Sequence, residues 1–163
     1  MGRSFLLQTL SHTPPWVYAM FILLVFFGHR QSRGRTIGRG GLIVLPLAML
    51  CFSLYGVVSS FGLVPPPLLA WGLGFLLPVA LGVRMLTPKG VIYASSGSFL
   101  VPGSWLPLVL MMAIFCVKYL VGFATARDLP VIHLPWFIAS VSFAFGLFSG
   151  ALCARGIGIL RSA

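Results

Sequence analysis

Acidic side chains are almost missing from this sequence. Asp128 is the only aspartate or glutamate among 163 residues, against eleven lysines and arginines, and the formal net charge is +10. That scarcity excludes whole classes of chemistry. One carboxylate cannot form the pair needed for aspartyl proteolysis or glycoside cleavage. It cannot build a carboxylate cage for calcium or magnesium, nor the carboxylate relay of many proton-driven transporters. The H-E-x-x-H zinc pattern is missing too. Cysteine is sparse: Cys51, Cys116 and Cys153 stand far apart in separate apolar runs, with no C-x-x-C. They are expected to act as small hydrophobes, with no disulfide and no metal. Charge of either sign is scarce, at 7% of residues, where a soluble domain carries about a quarter. What the chain has instead is apolar surface: 59% of residues are hydrophobic and the mean hydropathy is +1.06. No soluble fold could hide that much, so lipid is the expected solvent.

Five segments have the length and composition of a membrane-crossing helix, which needs about 20 mostly apolar residues. They cover about 14–28, 42–61, 66–86, 104–125 and 132–152. Thr13 is placed to cap the first, with Pro14 and Pro15 in its opening turn, where a missing N–H costs nothing. Pro65, Pro66 and Pro67 open the third, and Thr87-Pro88 stops it. Ser104 is the expected cap of the fourth. The expected fold class is all-α, a polytopic membrane protein of five helices forming a single domain over 1–163. One loop has strand character. Val91–Ala94 and Phe99–Val101 flank Ser95-Ser96-Gly97-Ser98, which predicts a short β-hairpin between helices three and four. An isolated hairpin is marginal in water, so it must lean on the bundle or the interface.

The basic residues set the threading. Arg30, Arg33, Arg35 and Arg39 follow the first apolar run, Arg84 and Lys89 the third, and Arg155 and Arg161 the fifth. Placing these eight in the cytoplasm leaves only Arg3 and Arg127 outside, with Lys118 inside the fourth run. By the positive-inside rule the N-terminus is outside and the C-terminus cytoplasmic. The positive cluster follows the first run rather than preceding it, so that run is read as a retained helix, not a cleaved signal. The excess charge is topological and forms no basic stripe on a soluble element, which argues against nucleic acid as a partner. Arg30, Arg33, Arg35 and Arg39 are also placed to meet anionic lipid at the inner surface.

The fifth helix carries a small residue at every fourth position: Ser142, Gly146, Gly150, Ala154 and Gly158. In lipid, such stripes let helix backbones approach closely. Two uses remain open at this point. The stripe packs inside the chain against Ala70, Gly74, Pro78 and Gly82 of the third helix, or it forms a homodimer seam.

Lys118 is the one ionisable residue well inside a span, and such residues mark functional sites unless they snorkel to the interface. The functional alternative is an outward-facing pocket in which Lys118, Tyr119, Arg127, Asp128, His12 and His133 would bind an anion. His12 and His133 could in principle be axial haem ligands, but interfacial histidines are ordinarily polar anchors, and no cofactor is expected. A serine hydrolase is excluded, because Ser149 lies about 24 Å along the same helix from His133. No catalytic residue is assigned.

Several stretches carry a resemblance. Leu10–Val17 opens the first helix, Pro46–Leu50 and Ser53–Gly56 lie in the second, and Val101–Pro107 leads into Met112–Tyr119 of the fourth. Together these resemble a family of small, uncharacterised bacterial inner-membrane proteins, a domain of unknown function. The resemblance implies a five-helix bacterial membrane protein and carries over no activity. The expected function is therefore a non-enzymatic scaffold, assembly or lipid-binding component of the inner membrane. The competing expectation is a small transporter or channel for an anion or metabolite, built around Lys118 and the proline-bearing helices three and four.

Overall fold

The computed structural model describes residues 15–94 and 97–162. Helix α1 (Pro15–Ser32) leads into strand β1 (Arg35–Gly38), and α2 (Arg39–Phe61) follows at once. Then come α3 (Pro65–Leu81), a one-turn α4 (Val83–Leu86), β2 (Ile92–Ala94), β3 (Ser98–Val101), α5 (Leu106–Ala126), a 3-10 turn (Pro130–His133) and α6 (Pro135–Leu160). Three of these, α2, α5 and α6, are long and apolar enough to cross a membrane. Helix α3 is as apolar but 17 residues long, and the apolar stretch Phe21–Arg30 of α1 is shorter still.

Helix α6 is the centre of the bundle. It packs against α2, α3, α4 and α5, while α1 packs on α5. Its buried face runs from Ser142 to Ile159 and includes Phe145, Gly150 and Ala154. The core gathers Val57, Met111, Ile114, Phe145 and Leu152 from α2, α5 and α6. The 132–152 expectation stopped this helix too early. It continues without a break to Leu160, since Gly156 and Gly158 are tolerated where neighbouring elements press closely. The expected 66–86 helix divides at Gly82, whose N–H still reaches the Pro78 carbonyl at 2.8 Å.

The predicted hairpin is present, with β2 antiparallel to β3 and Ile92 opposite Leu100. It belongs to a larger unit than the sequence suggested. β1 pairs along the other side of β3, Arg35 opposite Val101 and Gly38 opposite Ser98, so the strand order is β1-β3-β2. The segment read as a topological arginine cluster is thus also a strand. Phe99 and Val101 point inward and are buried against Leu42 of α2 and Ile159 of α6, which is how so small a sheet is held.

Ser104 does act at the start of α5: its hydroxyl accepts from the Leu106 N–H at 3.3 Å. The far end of α5 closes in a Schellman motif. Asp128 N–H reaches the Thr125 carbonyl at 3.1 Å, Leu129 N–H reaches Ala124 at 3.0 Å, and Asp128 takes a left-handed φ of 48°.

Candidate functional site

The small-residue stripe faces α3 within the chain. A side chain at Gly146 would meet the Trp71 carbonyl and, at 2.8 Å, the Phe75 amide nitrogen. One at Gly150 would meet the Phe75 carbonyl and Pro78 Cγ. From the other side, a Cβ at Gly74 would run into the Phe143 carbonyl. Gly158 lies against Thr87 and Val83, Ala154 is buried, and Ser142 is buried with no hydrogen-bond partner for its hydroxyl among the described residues. The surface considered for a second copy is covered by α3 at Gly146 and Gly150 and by Val83 and Thr87 at Gly158.

One turn along, a buried polar clasp joins three helices. The Trp71 indole N–H donates to Ser53 Oγ at 2.8 Å. Ser53 lies 3.1 Å from Ser149 Oγ, and Ser149 donates back to the Phe145 carbonyl at 2.9 Å. Ser149 is structural, bonded to its own helix.

The five described residues of the expected outer pocket do not gather into one cluster. His12 lies outside the described residues. The Lys118 ammonium donates to Ser59 Oγ at 2.5 Å and to the Gly56 carbonyl at 3.4 Å, and lies 5.2 Å from the centre of the Tyr55 ring. All three partners belong to the C-terminal half of α2. An ammonium at this depth requires oxygens, and those of α2 are the ones within its reach. Tyr119 is half-buried on the same helix. The Arg127 guanidinium stacks over Phe123 at 5.4 Å. Asp128 and His133 approach to 3.8 Å with both side chains exposed, a pair that contributes little. Sequence reasoning missed Tyr55, Gly56 and Ser59 as partners of Lys118, although Tyr55 and Gly56 lie in a stretch that carries the resemblance and Ser59-Ser60 is a polar pair near the end of an apolar run.

The other end of the molecule holds a more concentrated feature. A cavity of about 50 Å³ opens where the sheet, α2, α5 and α6 meet. Arg33, Arg35 and Arg155 line it, with apolar walls from Leu42, Leu45, Pro46, Val101 and Leu152. Arg155 is buried, at 8% exposure, and donates to the Leu86 carbonyl at 3.3 Å. Burial, and secondarily the nearby Arg30, hold Arg35 below the ordinary guanidinium value. The four-arginine cluster of the first loop is therefore divided. Arg33, itself exposed, and half-buried Arg35 line the cavity, Arg30 is exposed outside it, and Arg39 reaches the Tyr93 hydroxyl at 3.4 Å on β2. Arg155 entered the sequence reading only as a topological charge, because the fifth helix was expected to end before it.

Among the described residues, no three histidine, cysteine, aspartate or glutamate side chains come together as a metal group. Cys51, Cys116 and Cys153 are free.

No solved structure matches this chain. An uncharacterised protein of Pasteurella multocida strain Pm70 is 34% identical over 73 residues, which cover 45% of this chain and 53% of that protein. The match thus spans about half the length of that relative. The model of the family of unknown function DUF6622 matches residues 2–163, and the chain belongs to that family.

Proposed function

We propose that this chain is a multi-pass protein of the bacterial inner membrane whose role is lipid-binding or scaffolding rather than catalytic. The observation that carries this reading is its apolar exterior. Ile22 on α1 is 66% exposed, Val44 on α2 65%, Leu69 on α3 67% and Leu120 on α5 62%. Water would not tolerate such a belt on every outer helix, whereas lipid would. All five long helices cross the bilayer in this reading. Helix α3 spans about 26 Å on its own, and the turn of α4 brings it to the roughly 30 Å of a hydrocarbon core. Arg33, Arg35, Arg84, Lys89 and Arg155 mark the cytoplasmic end, which leaves the N-terminus outside and the C-terminus inside.

Reporter fusions test the threading. A C-terminal fluorescent protein, which folds in the cytoplasm, should be bright, and a C-terminal phosphatase that matures only outside should be inactive. An active phosphatase would overturn the orientation. Flux in proteoliposomes tests the role. Retention of acidic lipid with no anion flux is the expected result, and flux abolished by Lys118→Met would replace this reading with a transporter.

A further inference from the structure

We propose that the cavity formed by Arg33, Arg35 and Arg155 binds one phosphate group, a phosphomonoester or phosphodiester. This rests on the membrane reading above and gives it a site. Three guanidinium-bearing side chains converge from separate parts of the chain: the link after α1, strand β1 and the last third of α6. Concentrating three positive charges beside a low-dielectric wall is costly unless an anion joins them. Among the described residues the chain supplies none: its only acidic side chain, Asp128, follows the C-terminus of α5, while the cavity touches Pro107 at the other end of that 21-residue helix, about 30 Å away.

The donors are held in place before any ligand arrives. The Arg35 backbone is fixed by strand pairing opposite Val101, which itself lines the cavity. Arg155 is tethered at one nitrogen by the Leu86 carbonyl, and a guanidinium has five N–H groups to share. Among the described residues, the guanidiniums of Arg33 and Arg35 make no hydrogen bond or ion pair, so their forks are available. Planar forks of this kind suit the paired oxygens of a phosphate.

The volume limits the ligand further. About 50 Å³ is far below the roughly 300–1,000 Å³ of pockets that enclose whole metabolites. The space suits a single tetrahedral group, with the rest of the ligand outside the cavity. Leu42, Leu45 and Leu152 beside the arginines would suit the glycerol and upper chain of a lipid whose headgroup phosphate sits among the guanidiniums. Free phosphate shares the chemistry and uses only the arginines.

The test uses the full chain in dodecyl maltoside, titrated with fluorescent phosphatidylglycerol and with phosphatidylcholine as the neutral control. Arg33→Gln with Arg35→Gln removes two charges that line the cavity, one exposed and one half-buried. Arg84→Gln with Lys89→Gln removes two charges from exposed positions outside it. Helical circular dichroism and the melting midpoint of each pair should match the parent, since none of the four side chains holds a described hydrogen bond; Arg155 is left intact because its burial ties it to folding. The cavity pair should weaken phosphatidylglycerol binding about tenfold or more, and the outer pair less than about threefold. Equal weakening by both pairs, or none by either, would overturn the site. If inorganic phosphate displaces the lipid at millimolar concentration, the cavity serves the free ion; if it does not, the cavity serves the headgroup. If the parent chain is absent from the membrane fraction and retains no lipid, the membrane reading itself fails, an outcome distinct from loss of the site alone.

Discussion

The indole nitrogen of Trp71 lies 2.8 Å from Ser53 Oγ, and this contact fixes the direction of a hydrogen-bond chain across three helices. Indole can only donate, so Ser53 accepts from it and passes its own proton toward Ser149 or the Phe145 carbonyl. Ser149 then donates back into α6. Ser53 and Ser149 are fully buried. The clasp therefore ties α2 and α3 to the central helix at a depth where water cannot replace a lost partner.

Ser53→Ala should accordingly leave the Trp71 N–H without an acceptor and lower stability by about 1–3 kcal/mol. Trp71→Phe in the same background should cost less than it does alone, because the orphaned donor goes with it. Thermal melts of the two single variants and the double variant in detergent check this cycle. Strict additivity would mean that the pair does not interact.

Close packing of α3 on α6 gives a second prediction, with an internal control. Gly146→Ala adds a methyl that meets the Trp71 backbone, and overpacking of this kind costs about 1–3 kcal/mol. Gly122→Ala on α5 adds the same methyl with nothing within 4 Å. It should be neutral, or stabilising by up to about 1 kcal/mol through helix propensity. Melting midpoints that fall equally for both would show that the stripe has no special role.

Much of this architecture was legible in the sequence because lipid imposes simple rules. Apolar length located the helices, small residues at every fourth position offered the α3–α6 contact as one of two uses, and Val91–Val101 showed its strand character directly. What escaped depends on partners distant in sequence. Arg35–Gly38 is too short to announce itself as a strand and exists because β3 has a second free edge. The cavity was hidden because its third arginine lies beyond the expected end of α6. Lys118 looked unpartnered because its ligands, Ser59 and the Gly56 carbonyl, lie 59 and 62 residues away. Backbone carbonyls give no signal in a sequence.

Asp128, the lone acid, is conformationally important and electrostatically minor. Its φ of 48° is tolerated by aspartate but preferred by glycine at this position of a Schellman cap. Asp128→Gly should hold or raise the melting midpoint. Asp128→Val, β-branched in a left-handed conformation, should lower stability by about 1–2 kcal/mol. A large loss in the glycine variant would instead mean that the carboxylate carries the effect through His133.

Lys118 offers the sharpest separation between anchoring and ligand handling. Its ammonium is already engaged by Ser59, Gly56 and the Tyr55 ring, so it acts as a strut between α5 and α2. Interhelical hydrogen bonds in lipid average about 0.6 kcal/mol and reach about 1.7. Lys118→Met should lower stability within that range, and Ser59→Ala in the Lys118→Met background should add almost nothing. Phosphatidylglycerol binding should be unchanged in both variants, because the cavity of Arg33 and Arg35 lies at the other end of the bundle. Thermal melts give the first quantity and the lipid titration the second. A loss of lipid binding without a loss of stability would move the ligand site from the arginine cavity to Lys118.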